Sequence, residues 1–279
     1  MDLSYFLEIA LILSISGIGA GFLAGLLGVG GGIIFVPVLY FIFLQILKLD
    51  PASSIMLATS TSLATMIPTS ISSVLSHFKK SNIDLVLIVS WLKFLFIGVI
   101  LGIVFSKICG GTWLTILFGF ILLFAAFNMI FSAKSRGIFN DLPKMPYQGI
   151  IPFMVSFVSV MLGIGGGTLT VPTLSLFNYD TKKAIGTAAC CGLIICLPGA
   201  LTTLITNLII NKPIENAPPL TYGNICFLAV FLIIPFSVLC APLGVKVNKM
   251  IEPKIIKIIF AILLICTSSR MLLSGFGIF

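Results

Sequence analysis

Apolar segments long enough to cross a bilayer alternate with short polar loops along most of the chain. The hydrocarbon core of a membrane is about 30 Å thick, and about 20 apolar residues of helix are needed to span it. The stretches that meet this length cover residues 53–76, 84–106, 112–132, 221–243 and 255–276. This pattern predicts an all-α polytopic membrane protein.

The N-terminal apolar run is predicted to stay in the mature protein. Asp2 and Glu8 flank this run, and no Lys or Arg precedes Lys48. A cleavable signal peptide begins with a basic region, which is missing here. We therefore expect the first segment to be a retained membrane helix.

Composition agrees with a membrane protein and narrows the candidate chemistry. Hydrophobic residues make up 59% of the chain and charged residues 9%, and the mean hydropathy is +1.23, which leaves too little polar surface for a water-soluble globule. The net charge is +8, but the basic residues fall in short loops, where they report membrane topology and not nucleic-acid binding. The seven cysteines form no CxxC pair, so we interpret them as small apolar residues and expect no metal and no other cofactor.

An internal repeat divides the chain into two halves. The stretch "LLGVGGGIIFVPVL" at residues 26–39 returns as "MLGIGGGTLTVPTL" at residues 161–174, with 8 identities in 14 positions at an offset of 135. An offset of 130 then aligns Asp50 with Asp180 and Pro68 with Pro198. Such duplication predicts a first membrane repeat at 1–132, a cytoplasmic connecting loop at 133–148 and a second membrane repeat at 149–279.

The basic residues favour a particular threading of the glycine motifs. If each motif is the tip of a helical hairpin, one side of the membrane carries 11 basic residues and the other side 4. If each motif lies within one continuous crossing, the two sides carry 7 and 8, and the usual cytoplasmic bias disappears. The 11 residues are Lys79, Lys80, Lys134, Arg136, Lys144, Lys182, Lys183, Lys246, Lys249, Lys254 and Lys257; the 4 are Lys48, Lys107, Lys212 and Arg270.

The hairpin threading predicts two inverted repeats, each with three transmembrane helices and a Gly-rich broken or re-entrant helical hairpin, for 8–10 helical segments in total. Residues 149–162 and 168–179 would form helices of only about 21 and 18 Å, too short to span comfortably. Re-entrant hairpins explain these lengths, with broken spanning helices as the alternative. Both termini are then expected outside the cytoplasm, with the glycine tips meeting near the membrane midplane.

Consecutive glycines at such tips have the properties of an anion site. Glycine leaves the backbone open to a ligand and adopts positive φ, and the helix after each tip directs free N–H groups and its positive dipole end at the same place. The alternative is that the glycines only permit close helix packing, as we expect for Gly17, Gly21 and Gly25 at GxxxG spacing. The candidate substrate-binding glycines are Gly28, Gly30, Gly31, Gly32, Gly163, Gly165, Gly166 and Gly167.

Hydroxyl and basic side chains within apolar segments are further candidates. Thr168 and Thr170 follow the second glycine tip, whereas their counterparts Ile33 and Phe35 are apolar, so the site would be asymmetric. Such hydroxyls bind oxyanions but also bond back to carbonyls of their own helix. Further candidate hydroxyls are those of Thr59, Ser60, Thr61, Ser62 and Thr187.

Lys93 is a candidate because it lies nine residues beyond Asp84, about 13 Å into a membrane segment. It would attract an anion, or its ammonium would snorkel to the interface.

The motifs, in this order and spacing, resemble the sulfite exporter TauE/SafE family, also called the toluene sulfonate uptake permeases. The resemblance rests on "GLLGVGGGIIFVPVL", "ATSTSLATMIPTSISSVLSHFKKSNID", "GIGGGTLTVPTL", "AIGTAACCGLIICLPGALTTLITN" and "APLGVKVNK" with "RML", and it covers nearly the whole chain. It implies transport of small sulfur-containing or carboxylated organic anions, such as sulfite, sulfonates and sulfoacetate, across bacterial plasma membranes. His77 matches a position where this family commonly has His, with either an interfacial role or proton coupling. Members are described with seven or eight segments, fewer than the ten helices expected here.

The function that these observations favour is that of a secondary transporter working by alternating access. Its expected partners are a small anionic substrate, a possible coupling ion, either proton or sodium, and the lipid bilayer. A passive anion channel and a non-transporting membrane scaffold are the alternatives. An enzyme is disfavoured, because one histidine and few buried acids offer no nucleophile–base pair or metal cluster in the membrane.

Overall fold

The computed structural model describes residues 3–109, 111–134, 139, 141–144, 146–210 and 217–277. These residues form ten α-helices, a π-helical turn at Ile42–Ile46, a 3₁₀ turn at Tyr147–Gly149 and two short strands, β1 Thr221–Tyr222 and β2 Ile225–Cys226. The helices are α1 Leu3–Leu27, α2 Gly32–Phe41, α3 Pro51–Phe78, α4 Leu85–Cys109, α5 Gly111–Lys134, α6 Ile150–Leu162, α7 Gly167–Leu176, α8 Thr181–Ile210, α9 Phe227–Met250 and α10 Pro253–Gly275.

Six of the described helices are long and apolar enough to span a membrane, namely α1, α4, α5, α8, α9 and α10. This confirms the prediction of an all-α polytopic membrane protein. One predicted segment is wrong at its start, because residues 221–226 form an antiparallel β-hairpin and not helix. Gly223, at φ 61°, begins the two-residue turn that makes this hairpin possible.

The two halves contain matching sets of five helices. Asp50 and Asp180 both cap the third helix of their half, accepting hydrogen bonds from the backbone N–H groups of Ser53 and Lys183. Their equivalence supports the offset of 130 seen in the sequence. The fourth and fifth helices correspond at an offset of 142, since α4 and α9 begin at 85 and 227, and α5 and α10 at 111 and 253.

Packing interleaves the halves. Helix α1 packs along α9, α6 along α4, and α5 along α10, so each of these contacts joins one half to the other. The predicted role of the GxxxG stripe is confirmed, because a Cβ on Gly17 would lie 2.8 Å from the carbonyl oxygen of Ile233, and Gly21 and Gly25 face the α9 backbone just as closely. Gly98 and Gly102 hold α4 against α6 in the same way.

Each glycine motif interrupts the helix and turns the chain back on itself. Ile9 and Leu13, early in α1, line one small cavity together with Phe43 and Leu47, which follow α2. In the second half, Met154 of α6 lies beside Leu176 at the end of α7. Both motifs are therefore hairpin tips. The arms differ in length: α1 has 25 residues and is long enough to span, whereas α6 has 13.

The basic loops gather on one side, as the hairpin threading requires. The ammonium of Lys80 donates to the carbonyl oxygen of Val245 at 2.7 Å. Burial, together with Lys249 and Lys246 nearby, lowers the pKa of Lys80. Lys183 lies near Asp84 on the same face. The continuous-crossing alternative would put Lys80 on the opposite side from these lysines. Arg136 and Lys212 lie outside the described residues, as does part of the predicted 133–148 loop.

Candidate functional site

The two glycine tips meet in the protein interior through a two-fold related pair of contacts. A Cβ on Gly32 would lie 2.7 Å from Cα of Ile164, and a Cβ on Gly167 would lie 2.6 Å from Cα of Val29. Gly32 and Gly167 are equivalent at the offset of 135, as are Val29 and Ile164, so each tip contacts the other with the same residues. Val29 and Ile164 are fully buried. The two tips meet as predicted, and their position near the membrane midplane stays a prediction.

Backbone conformation explains why glycine occupies several tip positions. Gly28 and its equivalent Gly163 have φ of 69° and 66°, and Gly30 and Gly165 have φ of 71° and 64°, values that favour glycine. The third pair breaks the symmetry: Gly31 has φ of 90°, whereas Gly166 has an ordinary helical φ of −66°. The two tips therefore present their N–H groups differently.

Met66 of α3 fills the space between the tips. Its side chain is fully buried, and its sulfur would lie 2.6 Å from a Cβ on Gly32. Its methyl group lies as close to the Cβ positions of Gly30 and Gly165. The equivalent residue of α8 at the offset of 130 is the smaller Cys196, which is also fully buried.

Gly192 leaves room for a group of methyl size on the α8 side, beside the start of α7, and this space is called the open position below. A Cβ on Gly192 would be 3.8 Å from the backbone nitrogen of Gly167, 4.0 Å from that of Gly166 and 3.9 Å from Oγ of Ser70, with nothing closer. Backbone N–H groups in the first turn of a helix have no acceptor within the helix, and the dipole of α7 makes this end positive. Two backbone nitrogens at the start of α7 and one hydroxyl oxygen thus lie around the same point.

The Ser70 hydroxyl is available for a ligand. Ser70 is fully buried, and its oxygen has no geometrically acceptable hydrogen-bond partner among the described residues. The thiol of Cys196 lies beside it, but a thiol is a weak partner. A buried hydroxyl without a strong partner is destabilising unless something binds it, and an oxyanion oxygen would be a suitable acceptor.

Sequence reasoning missed Met66, Ser70 and Gly192. Each breaks the internal repeat at the offset of 130, where Met66 aligns with Cys196, Ser70 with Ala200, and Gly192 with Ser62. Most other positions of α3 and α8 also differ at this offset, so the sequence carried no signal that singled out these three residues.

Several predicted hydroxyls bond within the protein, as the alternative interpretation held. Thr59 donates to the carbonyl of Met56 at 3.1 Å and Thr170 to that of Gly166 at 2.7 Å, while Thr168 makes a long bond of 3.4 Å to Ile164. Ser62 instead donates 2.7 Å across the interface to the carbonyl of Gly163. Ser62 therefore fastens the second tip to α3.

The remaining hydroxyls lie away from the open position. Ser60 is buried and lines a separate small cavity with Thr203 and Asn224. Thr187 and Thr61 accept backbone N–H groups, from Asp84 and Cys226, at 3.0 Å.

Lys93 and His77 are not at the tips. Lys93 is exposed on α4, with its ammonium 5.0 Å from the ring centroid of Phe94, so the structure does not bring it to the glycine hairpins. The His77 ring is fully buried near the end of α3, and its Nε2 lies 2.9 Å from the carbonyl oxygen of Gly25. The interfacial role and proton coupling both stay predictions.

Comparison with known proteins identifies the family of the chain. A family model described as sulfite exporter TauE/SafE matches residues 13–271. The chain belongs to this family. No solved structure matches the chain of this TauE/SafE protein with significance.

Curated relatives of this TauE/SafE protein are named as transporters. A probable membrane transporter protein of Methanocaldococcus jannaschii is 30% identical over 272 residues, which cover 93% of this chain and 94% of the relative. Probable membrane transporter proteins of Bacillus subtilis and Haemophilus influenzae are each 28% identical, covering 95% and 91% of this chain and 97% and 94% of the relatives. These findings support a membrane transporter.

The described part of this TauE/SafE protein offers little for other chemistry. Within the described residues, no group of three or more His, Cys, Asp or Glu side chains is placed to bind a metal ion. Six of the seven cysteines are described, and all six are free thiols; the side chain of Cys109 lies outside the described part.

Proposed function

We propose that this protein is a secondary transporter that carries a small sulfur-containing oxyanion, such as sulfite, a sulfonate or sulfoacetate, across the bacterial plasma membrane by alternating access. The single observation that carries the proposal is the open position beside Gly192, which the backbone nitrogens of Gly166 and Gly167 and the hydroxyl oxygen of Ser70 surround. Backbone amides with a hydroxyl form a common environment for an oxyanion. The predicted glycines of both tips, from Gly28 and Gly163 onward, form the frame of this site.

Charge supports an anion over a cation. The α7 N-terminus presents positive potential to the site, and the lysines on one face of the protein, including Lys80, Lys246 and Lys249, raise the local concentration of anions at the entrance on that side. A cation would meet N–H donors at the tip and lysines at the entrance, so both parts of the path would repel it.

A carrier is favoured over a passive channel because the centre is closed. The two tips touch each other, and the buried Met66 side chain fills the gap between them. Inverted repeats provide two related conformations with opposite openings, and rocking of the halves around the tips would expose the site to each side in turn. The coupling ion, a proton or sodium, is part of this proposal and is tested with it.

The test is flux in liposomes that contain the purified protein and impose either a proton or a sodium gradient. Sulfite and a small organosulfonate should show saturable uptake and counterflow that exceed chloride flux, and one of the two gradients should drive accumulation. The matched control is Gly192→Ala, in which a methyl group occupies the open position. Cation flux without anion flux would overturn the proposal. Single-channel currents would show that the protein is a channel and not a carrier.

A further inference from the structure

A cavity separate from the tip site lies between the returning arm of the first hairpin and α10. Its volume is about 620 Å³, and its lining includes Pro37, Phe41 and Gln45 from the hairpin and Arg270 and Ser274 from α10. The lining residue nearest to the tip along α2, Pro37, is five residues past Gly32, about 7.5 Å along the helix. A cavity of this size holds an organic ligand and is far larger than an inorganic oxyanion requires.

Arg270 gives the cavity a positive charge that the described protein does not neutralise. Its guanidinium lies 4.7 Å from the ring centroid of Phe41, and it makes no salt bridge with a described carboxylate. A cation–π contact limits the motion of this exposed side chain without using its N–H donors. Ser274 and Tyr40 place a pair of hydroxyls at the same wall, with Ser274 donating to Tyr40 at 3.2 Å. The polar groups therefore surround one part of an otherwise apolar cavity.

The internal repeat supplies a comparison for this cavity. The equivalent position beside the second hairpin holds a smaller cavity of about 210 Å³, lined by Pro172 and Asn128. Asn128 is the counterpart of Arg270 at the offset of 142, and its amide donates to the carbonyl oxygen of Pro172 at 3.0 Å. The second-half cavity is therefore small and its polar side chain is already bonded. The first half differs by having a larger space and a cation that no described carboxylate pairs with.

We infer that the Arg270 cavity binds an amphipathic organic anion, with its charged head on Arg270 and its apolar body against Phe41 and Leu44. A sulfonate or carboxylate matches the forked donors of a guanidinium, and a flat or chain-like apolar group matches the rest of the lining. The same chemistry is present in a free organic anion and in an anionic lipid. This site lies outside the tips and is independent of the transport proposed for them.

Binding of naphthalene-2-sulfonate to the full-length protein in phosphatidylcholine nanodiscs tests this inference. Naphthalene-2-sulfonamide, which has the same shape without the charge, is the matched ligand. Arg270→Gln should raise the dissociation constant of the sulfonate by about 10-fold or more, since charged hydrogen bonds are worth that much, and should leave the sulfonamide unchanged. Leu44→Trp fills the cavity and should weaken the binding of both ligands. Asn128→Ala, at the equivalent position of the second half, should change neither, and a melting curve checks the fold of each variant.

A second set of nanodiscs distinguishes the sources of the ligand. If the natural occupant is an anionic lipid, phosphatidylglycerol should displace the sulfonate from the wild-type protein, and less of this lipid should copurify with Arg270→Gln. If it is a free organic anion, phosphatidylglycerol should leave sulfonate binding unchanged. Sulfonate affinities within about twofold of wild type in both Arg270→Gln and Leu44→Trp would overturn the inference. Loss of sulfite flux through the tips would not affect this result, because the readout is binding.

Discussion

The backbone N–H of Asp84 donates to Oγ1 of Thr187 at 3.0 Å. Asp84 immediately precedes α4 of the first repeat, and Thr187 lies on α8 of the second. The same relationship recurs in reverse, because the N–H of Cys226, which precedes α9, donates to Oγ1 of Thr61 on α3 at 3.0 Å. Each third helix thus satisfies a free N–H at the start of the fourth helix of the other repeat. Hydroxyls in these helices therefore join the repeats as well as contributing polar atoms near the tips.

Gly192→Ala should eliminate anion binding without harming the fold. The added methyl group would have no neighbour closer than 3.8 Å, and alanine in a helix interior is more stable than glycine by about 0.5–1 kcal/mol. It would nevertheless occupy the proposed oxyanion position. Gly19→Ala is the control, because that Cβ on α1 meets nothing within 4 Å. Melting curves and sulfite affinity should show two stable variants, of which only Gly192→Ala fails to bind. Normal sulfite transport by Gly192→Ala would move the site elsewhere.

Ser70→Ala should lower the affinity for the substrate by about 10-fold, the effect of losing a hydrogen bond of about 1.4 kcal/mol to a charged ligand. The stability of the unliganded protein should change little, because the hydroxyl has no strong partner. Ser62→Ala should do the opposite, lowering the melting temperature by removing the bond to Gly163. Affinity and melting measured together separate these effects. Equal affinity of wild type and Ser70→Ala would exclude this hydroxyl from the site.

Met66→Ala should open a leak between the tips. Removing a buried Met side chain costs about 2–5 kcal/mol of stability, and the space left would join the two sides of the tip contact. Met66→Leu conserves volume and should cost less than about 1.5 kcal/mol. Sulfite efflux from loaded liposomes without an exchanging anion measures the leak. Tight liposomes with Met66→Ala would show that other side chains close the centre.

Tyr179→Phe should reduce stability in a pH-dependent way. Tyr179 donates to the carboxylate of Asp84, and this bond, with the N–H of Leu87, holds the pKa of Asp84 below its usual value of 3.8. A lowered carboxyl pKa contributes stability above the unfolded pKa, and that contribution is lost as pH falls through the folded value. The free energy of unfolding of the variant should therefore be lower than that of wild type by about 1 kcal/mol at pH 7. This difference should narrow below about pH 4. Tyr147→Phe, at an exposed tyrosine, is the control. A gap that stays constant down to pH 3 would assign the effect to packing.

Membrane sidedness remains a prediction that labelling can check. In a cysteine-free background, Lys48→Cys should react with impermeant reagents from outside the cell, and Lys182→Cys only from the cytoplasm. The charge distribution of 11 against 4 motivates this orientation. Both termini should be accessible from the same side as position 48. Reaction of positions 48 and 182 from one side would contradict the inverted hairpins.

The sequence by itself determined the membrane class and the duplication, and it favoured the hairpins over broken spanning helices. Hydrophobic length, repeated glycines and loop charge are local or periodic properties, so they can be read without knowing which helices touch. The short segment at 149–162 predicted α6 at Ile150–Leu162 nearly residue for residue. The β-hairpin at 221–226 was missed because the apolar residues that follow it extend the same hydrophobic run.

Only the tertiary structure decided which polar atoms are free. Thr170 and Ser70 are both hydroxyl residues in apolar helices, yet Thr170 bonds to its own helix whereas Ser70 has no strong partner. That difference depends on the rotamer of each side chain and on residues distant in the chain. The start of α7, which lies near Ser70 and Gly192, is about 100 residues after Ser70. Counting residues along α4 likewise predicted that Lys93 lies deep in the membrane near the site, but the rotation of α4 directs its side chain outward. Depth follows from counting residues, whereas the direction of a side chain is set by packing between the repeats.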